Sequence, residues 1–231
     1  MGGQACVFYG AAQVSKDIDL MLLADDANYQ RLRDAVAILG ARRIAVPPFD
    51  TAALERGHAI HFRCSAPGVE DLRVDVMTRL RELRPFADLW ERRTSFTDDT
   101  GMIFDLLSIP DLVQAKKTQR SRDWPVIELL VNIHHRENVG VPLPHWIEFW
   151  LRECRSPELL STLTRTFAAD ARRLTAVRPL LALAESGDPE MLMAALDAEV
   201  RVEMAKDRAY WEPLKRELEA MRMAQARDQR P

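Results

Sequence analysis

The segment GGQACVFYGAAQVSKDIDLML, residues 2–22, contains the features that decide the fold. It opens with a glycine pair, continues with a helix-like stretch, and ends in an apolar run that is typical of a β-strand. Two carboxylates, Asp17 and Asp19, interrupt that run. Residues two apart in a strand share a face, so the segment predicts two like charges held side by side. Such a pair repels itself unless a cation lies between the carboxylates.

A third carboxylate is available further along the chain, in DLRVDVM at residues 71–77. Strand alternation puts Asp71, Arg73 and Asp75 on one face. If this strand lies beside the first, Asp75 completes a cage of three carboxylates with the D-x-D pair. Such a cage suits Mg²⁺, which prefers oxygen ligands and shares its coordination shell with phosphates. The alternative for an isolated D-x-D is a solvated loop, and the strongly apolar context favours the cage.

The residues before the carboxylates predict a phosphate-binding element. The first N–H groups of a helix and its dipole attract anions, which makes the helix start a natural phosphate site. Gly2 and Gly3 would let a phosphate approach the backbone closely. Ser15 can donate its hydroxyl to a phosphate oxygen.

Bulk composition narrows the class of protein. The chain has 231 residues, 47% of them apolar and 29% charged, with a net charge of −3. This balance excludes a global positive field for nucleic acid, so any basic site must be local. The three scattered cysteines fit a reduced, cytoplasmic protein. No apolar run approaches the roughly 18 residues that span a bilayer, so no membrane partner is expected.

The first hundred or so residues alternate strand-like and helix-like segments, and the rest is helical. The class expected is therefore α+β: a small mixed β-sheet with flanking helices over 1–108 and an all-helical domain over 109–231. Helices are predicted at 2–10 and 27–39, and strands at 17–24, 42–47, 58–65, 71–77 and 102–108. Later helix starts are indicated at 108–111, 123–125, 156–158 and 188–190, where a capping residue precedes or accompanies proline.

The motif GGQA…YG…SKDIDL closely resembles the signature of the nucleotidyltransferase superfamily, the DNA polymerase β-like group. LRVDVM is similar to the family's strand that carries the third carboxylate. LLSIPDLVQAKKTQRSRDWPVIELL, residues 106–130, resembles its post-catalytic segment, with a Leu-Ser-x-x-Asp-Leu helix start, a lysine pair and Arg-x-Arg-Asp. The resemblance covers about residues 2–131 and points to stand-alone bacterial proteins related to abortive-infection toxin nucleotidyltransferases.

The resemblance implies a two-metal reaction in which a hydroxyl attacks the α-phosphorus of a nucleoside triphosphate and pyrophosphate leaves. Asp17 and Asp19 would hold both Mg²⁺ ions. Asp75 would hold the ion that activates the hydroxyl, and it can accept the hydroxyl proton. The triphosphate would be bound by residues that share a donor or a positive charge: Gly2, Gly3 and Ser15 at the β- and γ-phosphates, with Lys116, Lys117 and Arg122 as cations.

The acceptor stays open: an RNA 3′ end as in the toxin-like relatives, a protein, or a small molecule. A toxin of this group would have an antitoxin partner. Two departures favour a second hypothesis, a catalytically silent member that only binds a nucleotide or a partner protein. Gln13 replaces the usual arginine. The family also places a strand before the glycine pair, whose absence would leave a neighbouring strand at a sheet edge.

Three other features have simpler interpretations. His58 and His61 are expected on opposite faces of a strand, which argues against a shared metal site. Asp123 is predicted to cap a helix rather than to act as a catalytic acid. RLRELR, residues 79–84, is predicted to be a solvated loop, with nucleic-acid contact as the alternative.

Overall fold

A computed structural model describes residues 1–228, and these fall into two compact units. The first unit comprises Met1–Ala115 together with the end of the chain from Ala209, and the second comprises Lys116–Arg208. Helices account for 58% of the residues and strands for 11%, so the predicted α+β class with a helical C-terminal part is confirmed. The end of the chain groups with the first unit, which a simple division near residue 108 does not anticipate.

The first unit follows the predicted alternation of helices and strands. Strand β1 is shorter than its prediction and none of its residues is buried, while β2 has only two residues. The elements α3, α4 and β5 have no counterpart in the sequence prediction. In chain order the elements are α1 (Gly2–Phe8), β1 (Asp17–Met21), α2 (Asp26–Ile38), β2 (Arg42–Arg43), α3 (Thr51–Arg56), β3 (Ile60–Arg63), β4 (Arg73–Met77), α4 (Phe86–Glu91), β5 (Thr94–Thr97), β6 (Ile103–Leu106) and α5 (Ile109–Lys116).

The main sheet is mixed and has the strand order β1-β4-β3-β2. Strand β4 lies parallel to β1 and antiparallel to β3, and β3 lies antiparallel to β2. Asp19 is the register partner of Asp75, which is in turn the partner of His61. The sheet therefore carries a row of ionisable residues across three strands. Strands β5 and β6 form a separate antiparallel pair.

The register is held by the apolar side of the sheet. Ile60, Phe62 and Val76 are almost completely buried, and they pack with Tyr29 and Leu54 from α2 and α3. Fully burying an aliphatic or aromatic side chain contributes about 1.5–3 kcal/mol. A one-residue slip of β4 would exchange its two faces and carry Asp75 into this core, so the apolar pattern specifies the register.

The end of the chain contacts the first unit through Glu217. Its carboxylate accepts from Arg56 at 3.2 Å and lies 2.8 Å from Nε2 of His58, whose side chain is 1% exposed. Gly57 ends α3 with a φ of 103°, which favours glycine. These contacts explain why the last part of the final helix belongs to the first unit.

The second unit is built from helices, two of which begin at the predicted caps Ser156 and Asp188. The Ser156 side chain accepts from the Leu159 N–H, and the Asp188 side chain accepts from Glu190 and Met191. Its elements are a 3-10 turn (Ser121–Asp123), α6 (Trp124–Asn138), α7 (Pro144–Glu153), α8 (Pro157–Thr166), α9 (Ala168–Leu174), α10 (Leu180–Ser186) and α11 (Pro189–Asp228), which continues into the first unit.

The prediction that the Asp123 side chain caps α6 is wrong. Asp123 does occupy the position before α6, yet its side chain makes no capping hydrogen bond. Its carboxylate instead lies among Lys116, Thr118 and Arg120 at 3.3, 2.6 and 2.9 Å. Burial works to raise the pKa of Asp123, but the Thr118 hydroxyl and the two cations outweigh it and lower that pKa.

Candidate active site

The strand register puts the three predicted carboxylates at neighbouring positions on one face of the main sheet. Asp17 and Asp19 lie two residues apart on β1, and the register puts Asp19 beside Asp75 on β4. Neighbouring strands are about 4.8 Å apart, so these side chains leave the sheet from adjacent positions. Ile18, between the two aspartates, packs against the core on the other side. The juxtaposition that the strand prediction required is therefore present.

Asp19 responds to the crowding of negative charge. Its pKa is raised by burial first, then by the charges of Asp17 and Asp75. The N-terminal amino group and a hydrogen bond from the Gly3 N–H work in the opposite direction and do not cancel the rise. Burial and the two neighbouring carboxylates thus disfavour the ionised form of Asp19, and a cation bound beside it would relieve part of this.

Asp75 is held by two basic side chains. Arg73 donates from Nε to Oδ1 at 2.8 Å and from Nη2 to Oδ2 at 2.9 Å, a two-point contact that uses both carboxylate oxygens. Nδ1 of His61 lies 2.8 Å from Oδ1. Burial works to raise the pKa of Asp75, and the hydrogen bonds of His61 and Arg73 reverse the effect and lower it.

The predicted sharing of one face by Asp71, Arg73 and Asp75 is only partly right. Strand β4 begins at Arg73, and Asp71 lies in the preceding turn with a φ of 61°. The Asp71 side chain is 88% exposed and its carboxylate is 3.8 Å from Arg63. Asp71 is therefore not part of the carboxylate group, because the turn ends the alternation before it.

The glycine pair and Ser15 have a structural reason beside their predicted one. A Cβ on Gly2 would lie 1.7 Å from Oδ2 of Asp19, and a Cβ on Gly3 would lie 2.4 Å from Oγ of Ser15. Ser15 donates to the backbone oxygen of Asp17 at 3.0 Å and lies 3.2 Å from its Oδ1. These residues thus let α1 approach the carboxylate strand, and phosphate binding by them stays a prediction.

The predicted cations at the triphosphate belong to the second unit. Nζ of Lys116, at the end of α5, lies 3.3 Å from Asp123, and Nζ of Lys117 lies 2.7 Å from Glu153. Arg122 is exposed on the 3-10 turn. To bind a phosphate, each lysine would have to leave its carboxylate partner or contact both groups at once. The role of the two lysines stays a prediction.

Two basic residues of the site, His61 and Arg73, were not assigned a role from sequence. His61 faces Asp75 across the β3–β4 pair, whereas His58 lies outside the strand and contacts Glu217. The expectation that the two histidines do not share a site agrees with these contacts. Only the pairing register identifies His61, because the connection between the strands does not specify which residues oppose one another.

The donor set fits a hard divalent cation. Three carboxylates share one face, and the charges of Asp17 and Asp75 add to burial in raising the pKa of Asp19. Within residues 1–228, as the side chains stand, no three His, Cys, Asp or Glu residues converge to enclose a metal ion. Asp17, Asp19 and Asp75 would be the ligands, and they belong to neighbouring strands, so side-chain rotation is the movement that their convergence requires.

Comparison of the chain with known proteins found no match. No family model matches the chain, and neither a curated protein nor a solved structure resembles it significantly. Across the described residues, no helix has both the length and the apolar character needed to cross a bilayer. The functional interpretation therefore depends on the motif residues and on their positions in the sheet.

Proposed function

We propose that the protein is a Mg²⁺-dependent nucleotidyltransferase that moves a nucleoside monophosphate from a nucleoside triphosphate to an acceptor hydroxyl. The observation that carries this proposal is the register of β1 and β4, which makes Asp19 and Asp75 neighbours on one face. The pKa of Asp19 is raised by burial first and then by the charges of Asp17 and Asp75, in keeping with that arrangement. Carboxylates at neighbouring positions on one face are what a hard divalent cation requires.

The chemistry would be an in-line displacement at the α-phosphorus. The acceptor oxygen forms the new bond, the bond to the pyrophosphate oxygen breaks, and the hydroxyl proton passes to Asp75. Bound Mg²⁺ would activate the attacking hydroxyl and stabilise the charge on the leaving pyrophosphate. Asp17 and Asp19 would bind both ions, and the cations Lys116, Lys117 and Arg122 would bind the triphosphate. An RNA 3′ end is the first acceptor to test, and an antitoxin partner stays a prediction.

A second candidate is a silent nucleotidyltransferase-fold protein that binds a nucleotide or a partner protein. The two-point contact of Arg73 favours it, because both oxygens of Asp75 are already used. Gln13 also removes a positive charge that the resemblance leads one to expect near the phosphates.

Transfer of labelled nucleotide discriminates the two. The full chain is incubated with α-labelled triphosphates, Mg²⁺ and total RNA, beside Asp17→Ala and Asp19→Ala. Asp34→Ala is the matched control, since Asp34 is exposed on α2. Label transfer that is lost in both site variants and kept in the control supports the enzyme. Nucleotide binding without transfer, unchanged by either site substitution, supports the silent protein.

A further inference from the structure

The guanidinium of Arg73 contacts both carboxylate oxygens of Asp75, which are the atoms that Asp75 would offer to a metal ion. It contacts Oδ1 and Oδ2 of Asp75 at 2.8 and 2.9 Å, and His61 takes a further position on Oδ1. A carboxylate offers about four lone-pair positions, so three of those on Asp75 are in use. The remaining position is on Oδ2, which also accepts from Arg73, so a cation that binds Asp75 would lie directly beside the guanidinium.

Arg73 and a divalent cation bound to Asp75 would repel each other. Arg73 lies on the same face as Asp17 and Asp19. Its pKa is raised first by the hydrogen bond to Asp75, with burial working against the rise and the charges of Asp75, Asp17 and Asp19 adding to it. It thus supplies the positive charge of the carboxylate group when no metal is bound. A divalent ion placed among the same oxygens would repel the guanidinium across a few ångströms of partly buried space.

The packing allows Arg73 to leave and Asp75 to stay. The Arg73 side chain is 40% exposed, whereas that of Asp75 is 9% exposed. Rotation of the arginine would break its two-point contact with Asp75, but the guanidinium would reach solvent without crossing a packed core, because the long side chain already lies at the surface. Asp75 is flanked on β4 by the buried residues Val74 and Val76, which hold its backbone in place.

We propose that Arg73 is a positioning residue that serves as an internal counter-cation for Asp75 and must withdraw from it before a divalent cation binds. The inference rests on the proposed nucleotidyltransferase function and gives that site a metal-free form in which the third carboxylate is occupied. Its consequence is that Arg73 competes with the metal, so removing the guanidinium tightens metal binding. A purely structural arginine would have the opposite effect or none.

Titration calorimetry of the metal-free full chain with Mn²⁺ tests the competition at constant pH. Arg73→Gln is expected to bind Mn²⁺ about tenfold more tightly than the wild type, the size of one charge-assisted hydrogen-bond contact. Arg73→Lys should tighten binding less, because an ammonium group does not reproduce the two-point contact. Arg63→Gln is the matched control, since Arg63 is also 40% exposed and is the register partner of Arg73 without contacting Asp75.

The outcomes separate this inference from the proposed function. Tighter binding in Arg73→Gln, with the control unchanged, supports the competition. Unchanged or weaker binding in Arg73→Gln, with a wild-type circular dichroism spectrum, overturns it; if that variant does not fold, Arg73→Lys decides by the same criterion. Asp75→Asn tests the metal site separately. If the wild type binds Mn²⁺ and this substitution weakens the binding, the metal site stands even when the Arg73 result is negative. Both proposals are overturned if neither the wild type nor Arg73→Gln binds Mn²⁺, or if Asp75→Asn leaves the binding affinity unchanged.

Discussion

Asp19→Asn should stabilise the metal-free protein while it abolishes metal binding. Asp19 is the carboxylate whose pKa is raised, by burial and then by Asp17 and Asp75. A raised pKa means that the folded state disfavours the ionised form relative to the unfolded chain. Asparagine keeps the size of the side chain and can still accept from the Gly3 N–H, yet it carries no charge. The substitution therefore removes repulsion and keeps most of the contacts.

The size of the effect follows from the strand spacing. Two unit charges about 5 Å apart repel by about 3 kcal/mol at an effective dielectric constant of 20. Arg73 and the N-terminal amino group offset part of this, and solvent screens the rest, which leaves a gain of about 1 kcal/mol in the free energy of unfolding. For a chain of this size that corresponds to an increase of about 2–4 °C in Tm.

The pH dependence supplies a sign test. With a raised folded pKa, the stability contributed by protonated Asp19 is present below the unfolded value of 3.8 and is lost as pH rises through the folded pKa. Wild type and variant should therefore melt alike below pH 3.8, diverge between pH 3.8 and the folded pKa, and stay apart above it, with the variant more stable.

The assay is thermal unfolding by circular dichroism, in EDTA and then with Mg²⁺, with Asp34→Asn as the control for loss of one exposed carboxylate. In EDTA the variant should melt above wild type and the control should not. With Mg²⁺ the wild type should gain stability by mass action and the variant should not. A variant that melts at or below wild type in EDTA at pH 7 would refute the repulsion on which the reasoning depends.

Three further predictions follow from individual contacts. Gly2→Ala should lower Mn²⁺ affinity, because the added Cβ would lie 1.7 Å from Oδ2 of Asp19 and would displace that carboxylate. Gly10→Ala is also at positive φ but has open space around it, so it should leave the affinity unchanged; equal affinities of the two variants in calorimetry would contradict this. Asp123→Asn should cost about 3 kcal/mol in urea unfolding at pH 7, and the difference should fall as pH drops through its lowered folded pKa; a constant difference would argue against the ion pairs. Trp150→Phe should cost about 2 kcal/mol, because the buried His134 Nδ1 loses its donor at 2.9 Å; an unchanged urea midpoint would show that the bond contributes nothing.

Much of the first unit could be predicted because its signals are local. The capping pair Ser108 and Asp111 starts α5, and the Ser108 hydroxyl lies 2.7 Å from the Asp111 carboxylate. Alternation in β4 predicted that Arg73 and Asp75 share a face, because successive side chains of a strand point to opposite faces. Strand β2 and the edge strand β1 were predicted too long, since apolar residues continue beyond the hydrogen-bonded pairing.

The candidate site was predictable in its acids and not in its bases. Asp17 and Asp19 are recognisable because like charges inside an apolar run are unfavourable without a cation. His61 and Arg73 carry no such local signature. Their contacts with Asp75 depend on which residues oppose one another across the sheet and on how a long side chain rotates. The reason for Gly2 and Gly3 was equally invisible, since Asp19 and Ser15 approach them only in the folded chain.

The sequence by itself determined several helix starts, the alternation of strand-like and helix-like segments and the pair of acids in one apolar run, because these depend on residues within a few positions of one another. Only the tertiary structure decided that β1 and β4 are neighbours, that Asp75 is held by Arg73 and His61, and that Glu217 brings the end of the chain to the first unit. Such contacts join residues far apart in sequence. They are selected by the burial of the whole apolar face, which no short segment encodes.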